Sequence, residues 1–240
     1  ELLKYKYGQN IKIYLIGHSW GGALGTAYLL KYQEKISGWV EVDGAHEFIN
    51  CRLQINKLRE IALQQNNISK SQKFWQEVLD MIDTISIDND GMVSDEAISK
   101  LNKYAYKAEE ALVNDSVIKY DYTNVDPIKE LGGLINYYFF SEYDPLTTRL
   151  NEFMTSSGIG MFDEVKKINY TNQLKNITIP SLFLWGKYDL VLPFELGQEA
   201  YNSIGSVYKD IYIFQNSGHS PMLYEPDLFT EKVLRFVYNH

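Results

Sequence analysis

IYLIGHSWGGALGTAYLL, residues 13–30, is the stretch whose reading decides the fold. The β-branched and aromatic run at residues 11–16, IKIYLI, stops at Gly17 and predicts a strand. Ala23, Leu24, Ala27, Leu29 and Leu30 then recur at helical spacing and predict a helix over residues 20–33. GWVEVDG, residues 38–44, predicts a second strand. Strand, helix and strand with short joins form a βαβ unit, whose strands run parallel with a right-handed crossover.

Between the first strand and the helix lies Gly17-His18-Ser19-Trp20-Gly21, a G-x-S-x-G pattern followed by Gly22. A turn this sharp forces the serine into a strained backbone, and glycines around it keep Cβ atoms off the neighbouring strand and helix. The serine hydroxyl then stands at the C-terminal edge of the sheet, above a helix N-terminus that favours negative charge. A serine that merely capped the helix would not need glycines on both sides. We therefore read Ser19 as a nucleophile and the Trp20 backbone N–H as an oxyanion donor.

The chain has 240 residues and a formal net charge of −8, with 45% hydrophobic and 22% charged residues. That size buries a sizeable core. The acidic balance argues against a nucleic-acid partner, and no apolar run reaches the roughly 18 residues of a membrane span. A single cysteine, Cys51, excludes an internal disulfide framework. After Asp43 the texture turns helical, from about residue 46 to 172, with apolar residues three and four apart. From Ile179 strands and helices alternate again: PSLFLWG (180–186), PFELGQEAYNSI (193–204), KDIYIFQN (209–216) and PDLFTEKVLRFVYNH (226–240). The expected organisation is an α/β core over residues 1–45 and 173–240, split by a helical insertion over 46–172. Within the insertion SIDNDGMVSDEA imitates a calcium loop. With Gly91 sixth, the twelfth position is Ala97, where the motif needs glutamate. We expect no metal there and a helix capped near Ser94 instead.

A serine nucleophile needs a base, and the base an orienting acid. His219, in NSGHSP after the strand KDIYIFQN, reaches the same sheet edge as Ser19. His18 lies inside the elbow, His46 at the entry to the insertion, and His240 at the terminus. Asp189, in WGKYDLVLP, is the candidate acid, with Asp43 after VEV as a competitor at the same edge. The order Ser19, Asp189, His219 matches the serine, acid, histidine order that accompanies G-x-S-x-G sheets.

IGHSWGG, LWGKYDLVLP and NSGHSP resemble the α/β-hydrolase superfamily, in particular its capped branch of proline iminopeptidases and related esterases. The resemblance covers the core segments at both ends. It implies Ser19 as nucleophile, Asp189 as acid, His219 as base, the Trp20 amide as one oxyanion donor, a helical cap in the middle, and no cofactor. Serine at position 19 argues against the branches with a carboxylate nucleophile. The implied activity is hydrolysis of a small ester or an amide or peptide, so the expected partner is a small-molecule or short-peptide substrate. His18, Tyr137, Tyr138 and Glu142 are candidates for the substrate pocket, the latter three within the aromatic run INYYFFSEYDPL. A non-catalytic ligand-binding member of the fold, an acyl transferase and a C–C bond hydrolase are the competing readings.

The family pattern has strands and an oxyanion loop before the elbow strand. Here the chain opens with ELLKYKYGQ, which reads as the last turns of an amphipathic helix ending at Gly8. We therefore expect a fragment with an exposed edge at residues 11–16 that self-associates or is held by a missing N-terminal portion. Without a second oxyanion donor it should be impaired as a catalyst.

Overall fold

The computed structural model describes residues 2–47, 51–88, 93–119 and 168–240. Four strands form one parallel sheet in the order β1 (Tyr14–His18), β2 (Gly38–Val42), β3 (Ser181–Gly186) and β4 (Lys209–Phe214). Every residue of β2 and β3 is buried. Such continuous apolar runs suit strands covered on both faces by crossover helices.

The period of two along the strands divides the core. Trp39, Phe183 and Trp185 point to one face, with Leu29 of α2 (Trp20–Tyr32) and with Leu196 and Ala200 of the helix Phe194–Ser203. Val40, Val42, Leu182 and Leu184 point to the other, against Phe214 and Phe236 of the closing helix Pro226–Asn239. Each face is thus sealed by a different helix set, which fixes the register of the central strands.

The elbow strand begins and ends later than its β-branched run suggests. Residues 11–13 lie outside the ladder, where the Ile13 carbonyl accepts from Ser37 N–H at 2.7 Å. Gly17 and His18 instead stay extended and pair with Glu41 and Val42. The strand therefore runs directly into the serine. Upstream, α1 (Leu2–Tyr7) closes at Gly8, whose φ is +102°, but none of its residues is buried. β1 is an edge among the described residues, and Ile16 on it is half exposed.

The helical segment supplies α3 (Arg52–Gln65), α4 (Gln72–Asp83) and α5 (Asp95–Asn114). Their apolar faces share a core of Ile55, Leu58, Trp75, Val78, Leu101 and Leu112. Ser94 caps α5, its Oγ accepting from Ala97 N–H at 3.2 Å. Leu190, from the loop beyond β3, and Tyr224, from the short helix Pro221–Tyr224 beyond β4, are buried in the same core. These helices and the sheet belong to one compact unit. The helices after β3 complete the order: α6 (Phe194–Ser203), α7 (Pro221–Tyr224) and α8 (Pro226–Asn239). No helix among the described residues is long and apolar enough to cross a membrane.

Candidate active site

All four strands deliver their C-terminal ends to one edge, and chemistry-bearing residues follow each of them. Ser19 follows β1, Asp43 follows β2, Asp189 lies in the loop after β3, and His219 in the loop after β4. Ser19 has φ 54° and ψ −118°, a conformation that non-glycine residues hold only where their surroundings impose it. The surroundings are hydrogen bonds from Ser19 N–H to the Val42 carbonyl (3.0 Å) and to the Ser19 carbonyl from Gly22 (2.9 Å) and Ala45 (3.1 Å).

Two of the three elbow glycines are sterically required. A Cβ on Gly17 would run into the Gly21 carbonyl and the Trp39 ring, and one on Gly22 would sit 2.6 Å from the Gly44 Cα. Gly21 faces open space. Close packing of strand against helix, rather than the turn alone, thus selects glycine at two positions.

The structure brings Ser19, His219 and Asp189 into one hydrogen-bonded line. His219 Nε2 lies 2.9 Å from Ser19 Oγ, and His219 Nδ1 lies 2.8 Å from Asp189 Oδ2. A carboxylate can only accept, so Nδ1 carries the proton and Nε2 accepts from the serine hydroxyl. Asp189 is fully buried, and its other oxygen accepts from the Val191 (2.9 Å) and Leu192 (2.8 Å) N–H groups. Burial works against a charged His219 ring, but the negative charge of Asp189 and the hydrogen bond to it outweigh burial and raise its pKa.

Asp43, the competing acid, sits behind this line. Its φ is 40°, its Oδ1 accepts from Gly186 N–H at 2.8 Å, and it is fully buried. Burial, then the charge of Asp189, push its carboxyl well above the usual range. Its protonated form is thereby favoured, while Asp189 makes the bond to the His219 ring.

His18 is directed at the base as well. Its Nε2 lies 2.7 Å from the His219 carbonyl, which only accepts, so His18 donates. Burial lowers the pKa of His18 and favours the neutral ring. His18, Asp43 and His219 place possible ligand atoms within 4.8 Å of one another. Yet both His219 nitrogens and His18 Nε2 are committed to the bonds just described, so this donor set does not fit a resident cation.

Ser19 and Trp20 open into a pocket of about 210 Å³. Its wall is apolar along Ile98, Val191, Leu192, Pro193 and Leu196, with Glu47, Gln54, Asn102 and Tyr106 as polar points. Burial, then the charge of Glu199, raise the Glu47 pKa. Tyr137, Tyr138 and Glu142 lie outside the described residues. Glu109, Tyr106 and Asn102, all on α5, escaped the sequence reading. The available signal was a carboxylate on the apolar stripe Leu101, Ala105, Ala108, Leu112.

The family model of the alpha/beta hydrolase fold matches residues 8–72, which carry the elbow, α2, β2 and α3. Over these residues the chain is similar to the α/β-hydrolase superfamily, whose fold it shares. It is 28% identical over 239 residues to a proline iminopeptidase of Saccharolobus solfataricus, covering 99% of this chain and 65% of that relative. Over 78 residues it is 32% identical to the probable aminopeptidase YbaC of Bacillus subtilis, covering 32% of this chain and 24% of the relative. An esterase from Exiguobacterium antarcticum superposes with a TM-score of 0.51 at 18% identity, covering 99% of this chain and 70% of that one. The chain thus spans about two thirds of the length of the iminopeptidase it matches.

Proposed function

We propose that this α/β-hydrolase chain carries the catalytic line of a serine hydrolase acting on a small ester or an amide or peptide. The observation that carries the reading is the line Ser19–His219–Asp189, at 2.9 Å and 2.8 Å, opening into an apolar pocket. His219, held by Asp189, takes the Ser19 proton as Oγ attacks the substrate carbonyl. The tetrahedral oxygen rests on the Trp20 N–H at the start of α2 and on a second donor. His219 then protonates the leaving alcohol or amine, which departs and leaves an acyl-serine. A water that gives its proton to His219 attacks that ester, and the acid is released as Ser19 recovers its proton.

Similarity to an iminopeptidase supports peptide or amide substrates, and the small apolar pocket accommodates an ester equally well. Slow turnover by the chain taken alone is part of this proposal. The test is labelling by a fluorophosphonate probe, followed by hydrolysis of nitrophenyl esters and aminoacyl anilides. Labelling of the wild type that disappears in Ser19→Ala supports the nucleophile. Equal labelling of both, or a wild type that binds such compounds without reacting, overturns it in favour of a ligand-binding member of the fold.

A further inference from the structure

Glu109 is a buried carboxylate that the acyl-transfer chemistry does not use. It lies on the apolar stripe of α5 and is 4% exposed, among Leu101, Ala105, Ala108 and Leu112. A carboxylate in such a place is costly unless its oxygens are satisfied. Its partners decide what it does. Oε1 accepts from the Leu190 N–H at 3.0 Å, and Oε2 accepts from the His219 N–H at 3.0 Å. Leu190 is the residue after Asp189, and His219 is the base itself. One carboxylate on a helix of the insertion thus grips the backbone of both loops that carry the acid and the base.

We propose that Glu109 is a positioning residue, a clamp from α5 that fixes the Asp189 and His219 loops relative to each other through their peptide N–H groups.

Three further observations support the clamp. The His219 peptide is held from both ends, since its carbonyl accepts from His18 while its N–H donates to Glu109. Gly218 is shaped for the contact: a Cβ there would run into the Glu109 carboxylate. The charged surroundings also make the clamp sensitive to protonation. Asp189 from the loop after β3, His219 from the loop after β4, Asp43 from the end of β2 and Tyr106 on α5 itself all face this carboxyl. Burial, then the charge of Asp189, push Glu109 up to about 8, against the two peptide donors and His219, which draw it down. Above that pH both N–H bonds go to a full carboxylate and are strengthened by its charge. The clamp therefore tightens as the pH rises through the range in which the base must be neutral.

This inference rests on the acyl-transfer reading, so its experiment includes a measurement that needs no turnover. In the full chain, the Leu190 and His219 amide proton resonances are expected to titrate together with a midpoint near about 8, and to lose that titration in Glu109→Gln. For ester hydrolysis, Glu109→Gln should lower kcat on the order of 10²-fold with little change in KM, the scale of a misplaced catalytic group. Glu110→Gln, exposed on the same helix, should match the wild type in both. Gly218→Ala displaces the carboxylate from the other side without changing charge. It should reproduce the loss of kcat and serves in place of Glu109→Gln if that protein does not fold. Amides that ignore pH in the wild type, or keep their titration in Glu109→Gln, overturn the clamp. A Glu109→Gln protein that melts lower while kcat is unchanged also overturns it and makes Glu109 a structural residue. If the wild type turns over no ester, the acyl-transfer reading fails, and the amide titration alone decides the clamp.

Discussion

His18 holds His219 by its backbone: the Nε2–H of His18 donates to the His219 carbonyl at 2.7 Å, with ring centroids 5.0 Å apart. The residue beside the serine in the elbow therefore steadies the base arriving from the far end of the chain. His18→Phe keeps a ring in the site and removes the donor. A net hydrogen bond of roughly 1 kcal/mol sets the expected loss in kcat/KM at about five- to tenfold. Steady-state hydrolysis of a nitrophenyl ester measures it, and an unchanged kcat/KM would assign His18 to packing.

Ser19 stores strain that glycine would release. At φ 54° and ψ −118° an L-residue is held outside its ordinary basins, at a cost of order 1–3 kcal/mol. Ser19→Gly should therefore raise the melting temperature by a few degrees while abolishing fluorophosphonate labelling. Ser19→Ala abolishes labelling too but keeps the Cβ and the strain, so it should melt near the wild type. Two variants melting alike, both at the wild-type temperature, would show that the elbow is unstrained.

The sheet and the edge that carries the candidate site were legible because each residue of the line follows a strand with a strong local pattern. Ser19 follows IYLIGH, Asp189 follows SLFLWG, and His219 follows KDIYIF with a short loop between. Local patterns could not show which carboxylate makes the bond to the base, since Asp43 and Asp189 leave adjacent strands at the same edge. The three-dimensional arrangement decides it, because His219 Nδ1 meets Asp189 Oδ2 at 2.8 Å while Asp43 bonds to Gly186 N–H. Glu109 was illegible for a different reason. It bonds to groups 81 and 110 residues away, and both are peptide N–H groups whose side chains announce nothing. The start of β1 was misplaced because β-branched residues at 11–13 favour extended backbone whether or not a ladder partner exists.

Gly25 lets α2 lie close against β2. A Cβ there would penetrate the Trp39 ring, which is itself buried. Gly25→Ala should destabilise the chain by roughly 1–3 kcal/mol, the usual cost of overpacking, despite the better helix propensity of alanine. Trp39→Phe frees the space, so the double variant should recover part of that loss. Denaturant unfolding of the four proteins measures the coupling. Strictly additive losses would mean that the two residues do not meet.

Among the described residues β1 is an edge strand with an exposed Ile16, and α2 carries an exposed Leu24; an apolar edge of this kind invites a second copy. Concentration-dependent association should appear in sedimentation velocity and weaken in Ile16→Lys, which places a charge on the edge. A wild type that stays monomeric across micromolar concentrations would remove this surface from consideration.

Stability should fall as pH rises from about 6 to about 8.5, and the sign follows from proton binding. Glu109 is held near about 8, and burial first of all also raises Asp43, Glu41 and Glu47. Between the ordinary carboxyl pKa and these raised values the native chain holds protons that the unfolded chain has lost, so stability declines with pH. His219 and His46 act in the same direction. Burial opposes their charge, but Asp189 beside the first and Glu199 with Glu41 beside the second raise both above 6.5. Their contribution is present below the unfolded value and disappears as pH passes the folded one. His18 and Glu199, both lowered, work the opposite way, but their windows lie below the ordinary values of their side chains and close before the alkaline end. Thermal melts across this range should therefore slope downward, and Glu109→Gln, which removes the group raised to about 8, should flatten the slope. A melting temperature that climbs with pH would mean that these buried carboxyls ionise at ordinary values, as they would if water reached them.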